Sequence, residues 1–301
     1  MNIFITGGTG FIGSNFIERA LKKNFKVTAL KRNNESNPSI KLSNEPTWLI
    51  SSIENIKASQ LKYFDVIIHL ASAGVSPKKC SWNELSKTNI LDSFELIKKA
   101  NNAGCKRVIV SGTAFEYGYS ANLFERIPIN APLIPLTPYG ASKVAGFYKL
   151  YSYALNNEIE FYYPRIFSVY GHGQYHKNFW PSLHNAAVKG ADFKMTNGAQ
   201  IRDFIHIDDV VSKLIEGCLR EDLLVKKPLV ENIGTGKGVT LKNFAISQWL
   251  KFAKGGELLF GEINERENEI QRLVALIGEN KNNLLNLKNN ILTDLNFVKL
   301  P

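Results

Sequence analysis

The sequence predicts an α/β protein built on a doubly wound parallel sheet, and three observations support this prediction. Short apolar runs alternate with segments of helical periodicity throughout the first half of the chain. A glycine-rich turn joins the first of these runs, residues 2–6, to the first helical segment. Residues 65–71 are almost continuously apolar, as in a parallel strand that helices cover on both faces. In such a sheet, ligands bind at the carboxyl ends of the strands.

The first turn, residues 7–13, has the sequence GGTGFIG, which contains the spacing G-x-G-x-x-G. Glycine is needed here because the chain bends tightly and its backbone must approach a pyrophosphate held at the helix N-terminus. Since the turn lies between a strand and a helix, it predicts a dinucleotide site. The candidate cofactor-binding residues are Gly7, Gly10, Phe11, Ile12 and Gly13, with Leu70 and Ala71 at the end of the run 65–71.

The second strand, residues 26–30, ends at Lys31 and Arg32. An NAD-binding domain has an acidic residue at about this point, where it binds the 2′-hydroxyl of the ribose. Two cations suit a 2′-phosphate instead, so NADP(H) is the predicted cofactor and NAD(H) remains possible. The alternative interpretation of the two cations is a solvated strand end.

Tyr139 and Lys143 form the candidate proton-transfer pair. Thr137 is a good N-cap and Pro138 suits the first helical position, so a helix is expected to begin here. The two side chains then lie one turn apart on one face of the helix, where the ammonium would favour the phenolate and lower the pKa of Tyr139. The pattern alone is short and also fits an incidental aromatic residue and a surface lysine. Thr113 strengthens the prediction, because it follows the apolar run 108–111 at the same edge of the sheet.

Together, these motifs resemble those of the extended short-chain dehydrogenase/reductases, and within them the nucleotide-sugar epimerase/dehydratase group. Four further segments match that group in kind and order: residues 161–171, 202–210, 232–236 and 265–269. The resemblance implies a Rossmann-type domain over residues 1–166, with a return near 200–235. It also implies a smaller, interleaved C-terminal lobe over 167–301 that binds the nucleotide-sugar.

The resemblance also implies roles for single residues. Thr113 would hydrogen-bond the sugar carbonyl, Tyr139 would be the general acid/base, and Lys143 would bind the nicotinamide ribose. Arg202 and Arg266 would hold the diphosphate of the substrate. Independently of the family, a guanidinium suits this task because it binds phosphate oxygens bidentately and stays charged.

Departures from the group indicate the reaction. Dehydratases carry an Asp-Glu pair where this chain has Ala114 and Phe115, neither of which can move a proton. Ala114 also replaces the cysteine of the epimerising reductases, and Ser168 replaces an asparagine that contacts sugar in the group. The later segments are most similar to synthases that reduce CDP-linked sugars. The sequence therefore predicts an NADPH-dependent reductase of a nucleotide-diphospho-4-keto-6-deoxyhexose, in sugar-nucleotide biosynthesis for surface polysaccharide. An NAD-dependent 4-epimerase and a non-catalytic NADP(H)-binding sensor are the alternatives.

Composition and layout limit the partners. The net charge is +10, but the lysines are spread along the chain, so anionic NADPH and nucleotide-sugar explain the charge without nucleic acid. We see no signal peptide or membrane span, and the three cysteines lack metal spacing, which predicts a reducing cytoplasm. His172 and His176 lie in a glycine-containing loop, and no metal site is predicted there. His69 is expected to be a satisfied core histidine.

A homodimer is predicted from two helices, residues 83–103 and 138–155, which carry apolar residues on more than one face. These apolar residues are Leu85, Ile90, Phe94, Ile97, Val144, Phe147, Leu150, Tyr151 and Ala154. In similar proteins these two helices pair with their copies as a four-helix bundle, and twofold symmetry is the commonest oligomer geometry. The Asn- and Lys-rich residues from Gly278 onward are weakly patterned, and the sequence predicts no element for them.

Overall fold

The chain folds around a parallel sheet of eight strands, seen in a computed structural model that describes residues 1–75, 80–265 and 269–278. The first half of the chain contains the strands β1 (Asn2–Thr6), β2 (Lys26–Lys31), β3 (Thr47–Ile50), β4 (Val66–His69), β5 (Arg107–Val110), β6 (Gly112–Thr113) and β7 (Glu160–Ile166). Those of the second half are β8 (Ser168–Tyr170), β9 (Phe193–Met195), β10 (Ile201–Arg202), β11 (Phe204–His206), β12 (Leu229–Ile233), β13 (Val239–Thr240), β14 (Leu258–Phe260) and β15 (Arg272–Leu273). The main sheet has the order β12-β7-β5-β4-β1-β2-β3, with β6 beside β7.

Helices cover both faces of this sheet. They are α1 (Phe11–Lys22), α2 (Trp82–Ser86), α3 (Ser93–Asn102), α4 (Pro138–Leu155), α5 (Phe179–Lys189), α6 (Ile207–Leu219) and α7 (Leu241–Phe252). On one face α1 and α6 pack against the sheet, and on the other α3 and α4 do so. Phe16, Ile17 and Ala20 of α1 are fully buried, because their helical spacing turns all three toward the strands. The predicted α/β class and Rossmann-type doubly wound parallel sheet are confirmed.

The main sheet also contains a strand from late in the chain. Strand β12 pairs in parallel with β7, so that Leu229 lies opposite Tyr162 and Ile233 opposite Ile166. This strand lies within the return that the resemblance implies near residues 200–235. The division of the chain at residue 166 stays a prediction.

The helix predicted over residues 83–103 is not one regular α-helix. Its middle, Lys87–Asp92, is a π-helical segment between α2 and α3. This segment places the backbone of Asn89 against Gly146 of α4, where an added Cβ would clash with the Asn89 carbonyl. The widened turn is therefore a point of close contact between two helices, and apolar spacing alone does not reveal it.

Several of the apolar residues named on the two helices of the predicted dimer pack within the chain itself. Leu85, Ile97, Phe147, Leu150 and Ala154 are all at most 7% exposed and pack in the core of the chain. They are therefore unavailable to a partner, and the dimer through these two helices stays a prediction. The apolar side chains exposed on these helices are different ones: Trp82, Leu91, Tyr148 and Leu155.

A smaller lobe is built from α5, α7 and short strands. Its core contains Leu183, Ala187, Met195, Ala245 and Trp249. Strand β14 pairs in parallel with β9. A separate small sheet has the order β13-β10-β15 and carries Arg202. Beyond Gly278, the Asn- and Lys-rich segment lies outside the described residues.

Candidate functional site

The glycine turn after β1 lies directly against the end of β4. Gly7 has φ +73°, and a Cβ there would lie 2.7 Å from the backbone nitrogen of Ala71. At Gly13 a Cβ would clash with the carbonyl of Gly7. Both positions therefore require glycine, one for its backbone angle and both for close packing. The predicted residues Leu70 and Ala71 lie next to this turn, as expected.

The N-terminus of α1 offers unpaired backbone donors. Its N-cap is Gly10, which has no side chain to cap the helix, and its first turn carries no acidic residue. The exposed N–H groups and the positive end of the helix dipole suit an anion. Phe11 and Ile12 form the first turn and are half-buried. These features fit the pyrophosphate of a dinucleotide, and the turn is narrow enough to bring the phosphates close to the backbone.

Lys31 and Arg32 lie at the carboxyl end of β2, next to the glycine turn, because β1 and β2 are neighbouring strands. The Lys31 Nζ lies 5.3 Å from the centroid of the Trp48 ring, so its charge is held over an aromatic face of β3. Arg32 is exposed. Both cations therefore lie beside the glycine turn at the end of β2. The preference for NADP(H) over NAD(H) remains a prediction.

The helix that carries Tyr139 begins as predicted. The Thr137 hydroxyl accepts a hydrogen bond from the Gly140 N–H at 3.0 Å, and Pro138 occupies the first helical position. Tyr139 is half-buried. Burial, followed by the negative charge of Glu116, raises the pKa of Tyr139 to about 12, although hydrogen bonding to Ser72 and Thr113 lowers it. The pKa of Tyr139 is therefore raised in the free protein, whereas the sequence suggested that Lys143 would lower it.

Lys143 lies below the surface of the site. It is 8% exposed, and its Nζ donates a hydrogen bond to the Ser111 carbonyl at 2.7 Å. Burial lowers the pKa of Lys143, while the charge of Glu116 raises it. The ammonium is thus anchored to the strand end that leads into Thr113.

Thr113 is held in place by its own turn. Its Oγ1 accepts a hydrogen bond from the Phe115 N–H at 3.3 Å, and its N–H donates to the Glu116 carboxylate at 2.9 Å. Of the two residues that replace the acid/base pair of dehydratases, Ala114 is buried and Phe115 is 43% exposed. At these two positions the site is therefore apolar, and neither side chain can donate a proton.

Of the two arginines predicted to bind the diphosphate, Arg202 lies among the described residues. Arg202 is half-buried, and its Nη2 lies 2.5 Å from the Glu269 carboxylate. Burial lowers the pKa of Arg202, and the charge of Glu269 raises it. Arg266 lies outside the described residues. Asp203, which follows Arg202, is fully buried and accepts hydrogen bonds from the backbone N–H groups of Thr235 and Gly236. It therefore connects the segments 202–210 and 232–236, both of which match the family group.

The sequence analysis missed Asn89, which connects three parts of the site. Its side-chain carbonyl accepts hydrogen bonds from the Ser72 hydroxyl and the Ala73 N–H. Its amide donates to the Ala73 carbonyl and to the Ser142 hydroxyl of α4. The only sequence signal was a polar residue at an inward-facing helical position.

The expectation for His69 is confirmed. It is 2% exposed, and its two ring nitrogens are hydrogen-bonded to the hydroxyls of Thr6 and Ser93. Burial, followed by the charge of Lys143, lowers the pKa of His69 to about 3. The imidazole is therefore neutral and acts as a link between elements.

The described part of the chain shows neither a cluster of metal-binding side chains nor a helix suited to cross a membrane. Within residues 1–75, 80–265 and 269–278, His, Cys, Asp and Glu form no group of three or more that could hold a metal ion. Over the same residues, no helix has both the length and the apolar character needed to cross a membrane.

Comparison with known proteins gave consistent matches. A family model described as the NAD dependent epimerase/dehydratase family matches residues 3–218. CDP-abequose synthase of Salmonella typhimurium is 29% identical over 290 residues, which cover 93% of this chain and 90% of that protein.

Two solved structures extend the similarity to the fold. The UDP-N-acetylglucosamine 4-epimerase from Methanobrevibacter ruminantium M1 is 25% identical, with a TM-score of 0.79 over 92% of this chain and 89% of that one. An NAD-dependent NDP-hexosamine 5,6-dehydratase involved in tunicamycin biosynthesis is 27% identical, with a TM-score of 0.78 over the same shares. The matching relatives thus include a synthase, an epimerase and a dehydratase that are named for nucleotide-linked sugars.

Proposed function

The chain belongs to the NAD-dependent epimerase/dehydratase family, and from this membership we propose that it is an NADPH-dependent reductase of a nucleotide-diphospho-4-keto-6-deoxyhexose. One observation carries the choice among the reactions of the family. Among the described residues of the site, Tyr139 is the candidate proton donor, and the edge at Ala114 and Phe115, where a dehydratase has carboxylates, is apolar. The similarity to CDP-abequose synthase over most of both chains supports the same choice. The product would serve sugar-nucleotide biosynthesis for surface polysaccharide.

Thr113, Tyr139 and Lys143 would have different roles in the reduction. A bound reduced nicotinamide supplies hydride to C4 of the sugar. The Thr113 hydroxyl donates a hydrogen bond to the carbonyl oxygen and orients it, while Tyr139 gives its phenolic proton to that oxygen. The pKa of Tyr139 lies well above neutral, so its phenol carries a proton at the start of the reaction, as a general acid must. Lys143 would hold the nicotinamide ribose close to the Ser111 strand end.

The preference for NADPH rests on Lys31 and Arg32. A 2′-phosphate at the end of β2 would meet two cations, and charge-assisted hydrogen bonds are about twice as strong as neutral ones. The NAD dependence of a structural relative supports a nicotinamide cofactor for this fold, and NAD(H) remains the alternative.

Arg202 and Arg266 would hold the substrate diphosphate. In the free protein Arg202 is paired with Glu269, so a diphosphate would have to displace this carboxylate. The exchange is chemically reasonable because a guanidinium can bind phosphate oxygens bidentately, as it can bind a carboxylate. Until a diphosphate binds, Glu269 pairs with Arg202, so that the guanidinium is not left as an unpaired charge.

A 4-epimerase is the second candidate, favoured by the similarity to the UDP-N-acetylglucosamine 4-epimerase structure. Such an enzyme first oxidises a 4-hydroxyl, so its tyrosine must begin as a base. The two activities differ in the fate of the cofactor, because an epimerase interconverts 4-hydroxy sugars with no net use of NADPH. A non-catalytic NADP(H) sensor would have no use for the set of Thr113, Tyr139 and Lys143.

The test is a screen of CDP-, UDP- and dTDP-linked 4-keto-6-deoxysugars with NADPH and with NADH. Stoichiometric loss of NADPH, with a 4-hydroxy product identified by NMR, is the expected result. Interconversion of 4-hydroxy nucleotide sugars without net loss of reduced cofactor would show an epimerase instead. Cofactor binding without turnover of any sugar would show a sensor. The Tyr139→Phe protein, prepared in the same way, controls for a contaminating reductase.

A further inference from the structure

Gln200 carries a buried side-chain amide that has no hydrogen-bond partner among the described residues. The residue is 5% exposed, and its Oε1 is buried without a donor. Folding withdraws this carbonyl from water and gives it no hydrogen bond in return, which costs stability. An orphaned polar atom in a native structure calls for an explanation, and a ligand that brings the missing donor provides one.

Gln200 lies on the same face of its strand as Arg202. Its backbone carbonyl accepts a hydrogen bond from the Leu241 N–H at 2.8 Å, which extends the pairing of β10 with β13 by one residue. Side chains alternate along an extended chain, so those of Gln200, Arg202 and Phe204 share one face. Phe204 stacks on Phe244 of α7 with ring centroids 3.7 Å apart. This face is therefore turned toward the smaller lobe.

The residues between them occupy the opposite face. Ile201 packs against Gly238, where an added Cβ would lie 2.8 Å from the Ile201 Cγ2. Asp203 accepts hydrogen bonds from the N–H groups of Thr235 and Gly236. The contacts on this second face agree with the alternation and leave Gln200 and Arg202 together on the first.

The order of residues along the first face separates the two ends of the proposed substrate. Phe204 pairs with Ser168 of β8, and β8 follows β7, whose last residue pairs with Thr113. A sugar at Thr113 would therefore lie on the Phe204 side of Arg202. Gln200 lies on the other side of Arg202. With the diphosphate at Arg202, Gln200 faces the nucleoside.

We propose that Gln200 binds a ribose hydroxyl of the nucleotide-sugar through its side-chain amide. This inference rests on the proposed function, since it concerns the same substrate. The diphosphate of a nucleotide-sugar carries no proton at neutral pH and cannot satisfy the orphaned Oε1, whereas a hydroxyl both donates and accepts. The ribose is also the part of the nucleotide that directly follows the diphosphate. The amide breaks no hydrogen bond to a described residue when it turns, and the last side-chain torsion of glutamine has broad preferences.

The test is Gln200→Leu, which removes the amide and keeps a side chain of similar size. The matched control is Gln248→Leu. Gln248 is 6% exposed, but its Oε1 accepts a hydrogen bond from the Trp180 Nε1 at 3.1 Å. Each protein is titrated calorimetrically with CDP and UDP and with the 2′-deoxy and 3′-deoxy forms of each. These titrations require no turnover.

We expect the wild type to bind the ribonucleotides at least about threefold more tightly than one of their deoxy forms, because a neutral hydrogen bond is lost. This ratio should fall to about one in Gln200→Leu and stay unchanged in Gln248→Leu. An unchanged ratio in Gln200→Leu, or an equal loss of affinity for every nucleotide, would overturn the inference. A change only in the preference between CDP and UDP would assign the amide to the base and overturn it too.

Two outcomes concern the proposed function instead. A wild type that binds none of these nucleoside diphosphates would contradict a nucleotide-sugar substrate altogether. A wild type that shows the expected ratio but reduces no ketosugar would overturn the reductase and leave the ribose contact standing.

Thermal unfolding without nucleotide separates a binding role from a structural one. Gln200→Leu replaces an unpaired buried amide by an apolar side chain, so its unfolding midpoint should rise or stay unchanged. In Gln248→Leu the Trp180 N–H loses its acceptor, so the midpoint should fall. A fall of several degrees in Gln200→Leu would show that the amide serves the fold and would overturn the inference.

Discussion

The neutral phenol of Tyr139 is the residue on which the proposed chemistry depends. Tyr139→Phe keeps the ring but removes the proton donor, so we expect turnover to fall about 100-fold or more. Cofactor affinity should be unchanged, because the glycine turn is separate from the phenol. Steady-state kinetics and cofactor titration by fluorescence measure the two effects.

Tyr148→Phe is the matched control for this change. Tyr148 lies on the same helix, but its side chain is exposed and outside the site. Its phenylalanine variant should keep wild-type turnover. If Tyr139→Phe also keeps full ketoreductase activity, Tyr139 is not the general acid.

Arg32 provides a second prediction at this scale. Replacing it by aspartate puts a negative charge where the 2′-phosphate is proposed to lie. A charge-assisted contact contributes about 1.5–3 kcal/mol, so the wild type should prefer NADPH by more than tenfold, and Arg32→Asp should narrow or reverse that preference. Calorimetric titration with both cofactors measures it. Lys62→Asp makes the same charge change at an exposed, remote position and should leave the ratio alone.

Individual residues also show how far sequence reasoning extends. The helix start at Thr137 and the place of Tyr139 could be predicted because capping and one-turn spacing are local properties. The pKa of Tyr139 could not, because it depends on burial and on Glu116, whose orientation is set by Arg165 from another strand. In the sequence, Glu116 looks like any polar residue after a strand. Nothing local indicates that it is fully buried.

Among the elements, the contact between the π-helical segment and α4 yields a prediction against ordinary helix propensity. In a helix, Gly→Ala normally stabilises by up to about 1 kcal/mol. At Gly146 the added methyl group would clash with the Asn89 carbonyl, so we expect a loss of about 1–3 kcal/mol instead. Urea unfolding measures the difference.

Ala145→Gly is the control for that experiment, since Ala145 is the exposed neighbour of Gly146 on α4. It should cost about 1 kcal/mol through propensity alone. A Gly146→Ala protein as stable as the wild type, or more stable, would show that the two helices have room to separate.

His69 links β1, β4 and α3, and its pKa makes this link sensitive to acid. Its folded pKa is about 3, against 6.5 for the free side chain. Between these values the unfolded chain binds a proton that the folded chain excludes, so stability falls as the pH falls from 6.5 toward 3. At pH 5 the loss from this one group amounts to roughly 2 kcal/mol.

The measurement compares unfolding free energies at pH 7 and pH 5 for the wild type, His69→Gln and His176→Gln. The His69 variant should lose roughly 2 kcal/mol less than the wild type over this interval. The exposed His176 should make no difference. Parallel losses in all three proteins would rule out His69 as the acid-sensitive group.

Elements differed in how well the sequence revealed them. Strands β1, β4 and β5 are nearly continuous apolar runs because both of their faces are covered, and they were predicted. Strand β3 was missed, since it lies at the edge of the sheet and is only half-buried. The π-helical segment was missed because it is only six residues long and continues into an α-helix at each end, so that the whole stretch still looks helical in sequence.

At the scale of the whole molecule, the exposed apolar side chains on α2, α4 and the segment between α2 and α3 favour a dimer. Leu91 and Tyr148 are 52% and 56% exposed in the single chain. The double change Leu91→Glu with Tyr148→Glu should weaken association at least about tenfold, because it places charges in a proposed apolar interface. Sedimentation velocity at micromolar concentration measures this.

Leu250→Glu is the control for the dimer experiment. Leu250 is 79% exposed on α7, in the smaller lobe and away from the proposed face. Its variant should sediment like the wild type. A wild type that is monomeric at micromolar concentration would contradict the dimer itself.

The late return of β12 to the main sheet also has a consequence for co-translational folding. Strand β7 ends at residue 166, but its partner strand begins only at residue 229. At about 5–20 residues per second, synthesis leaves roughly 3–13 s between them. During that interval β7 presents unpaired backbone groups, and the face later covered by α6 is bare. The nascent chain is thus most exposed to mispairing just before the sheet is complete, and this is the stage at which a chaperone would be needed.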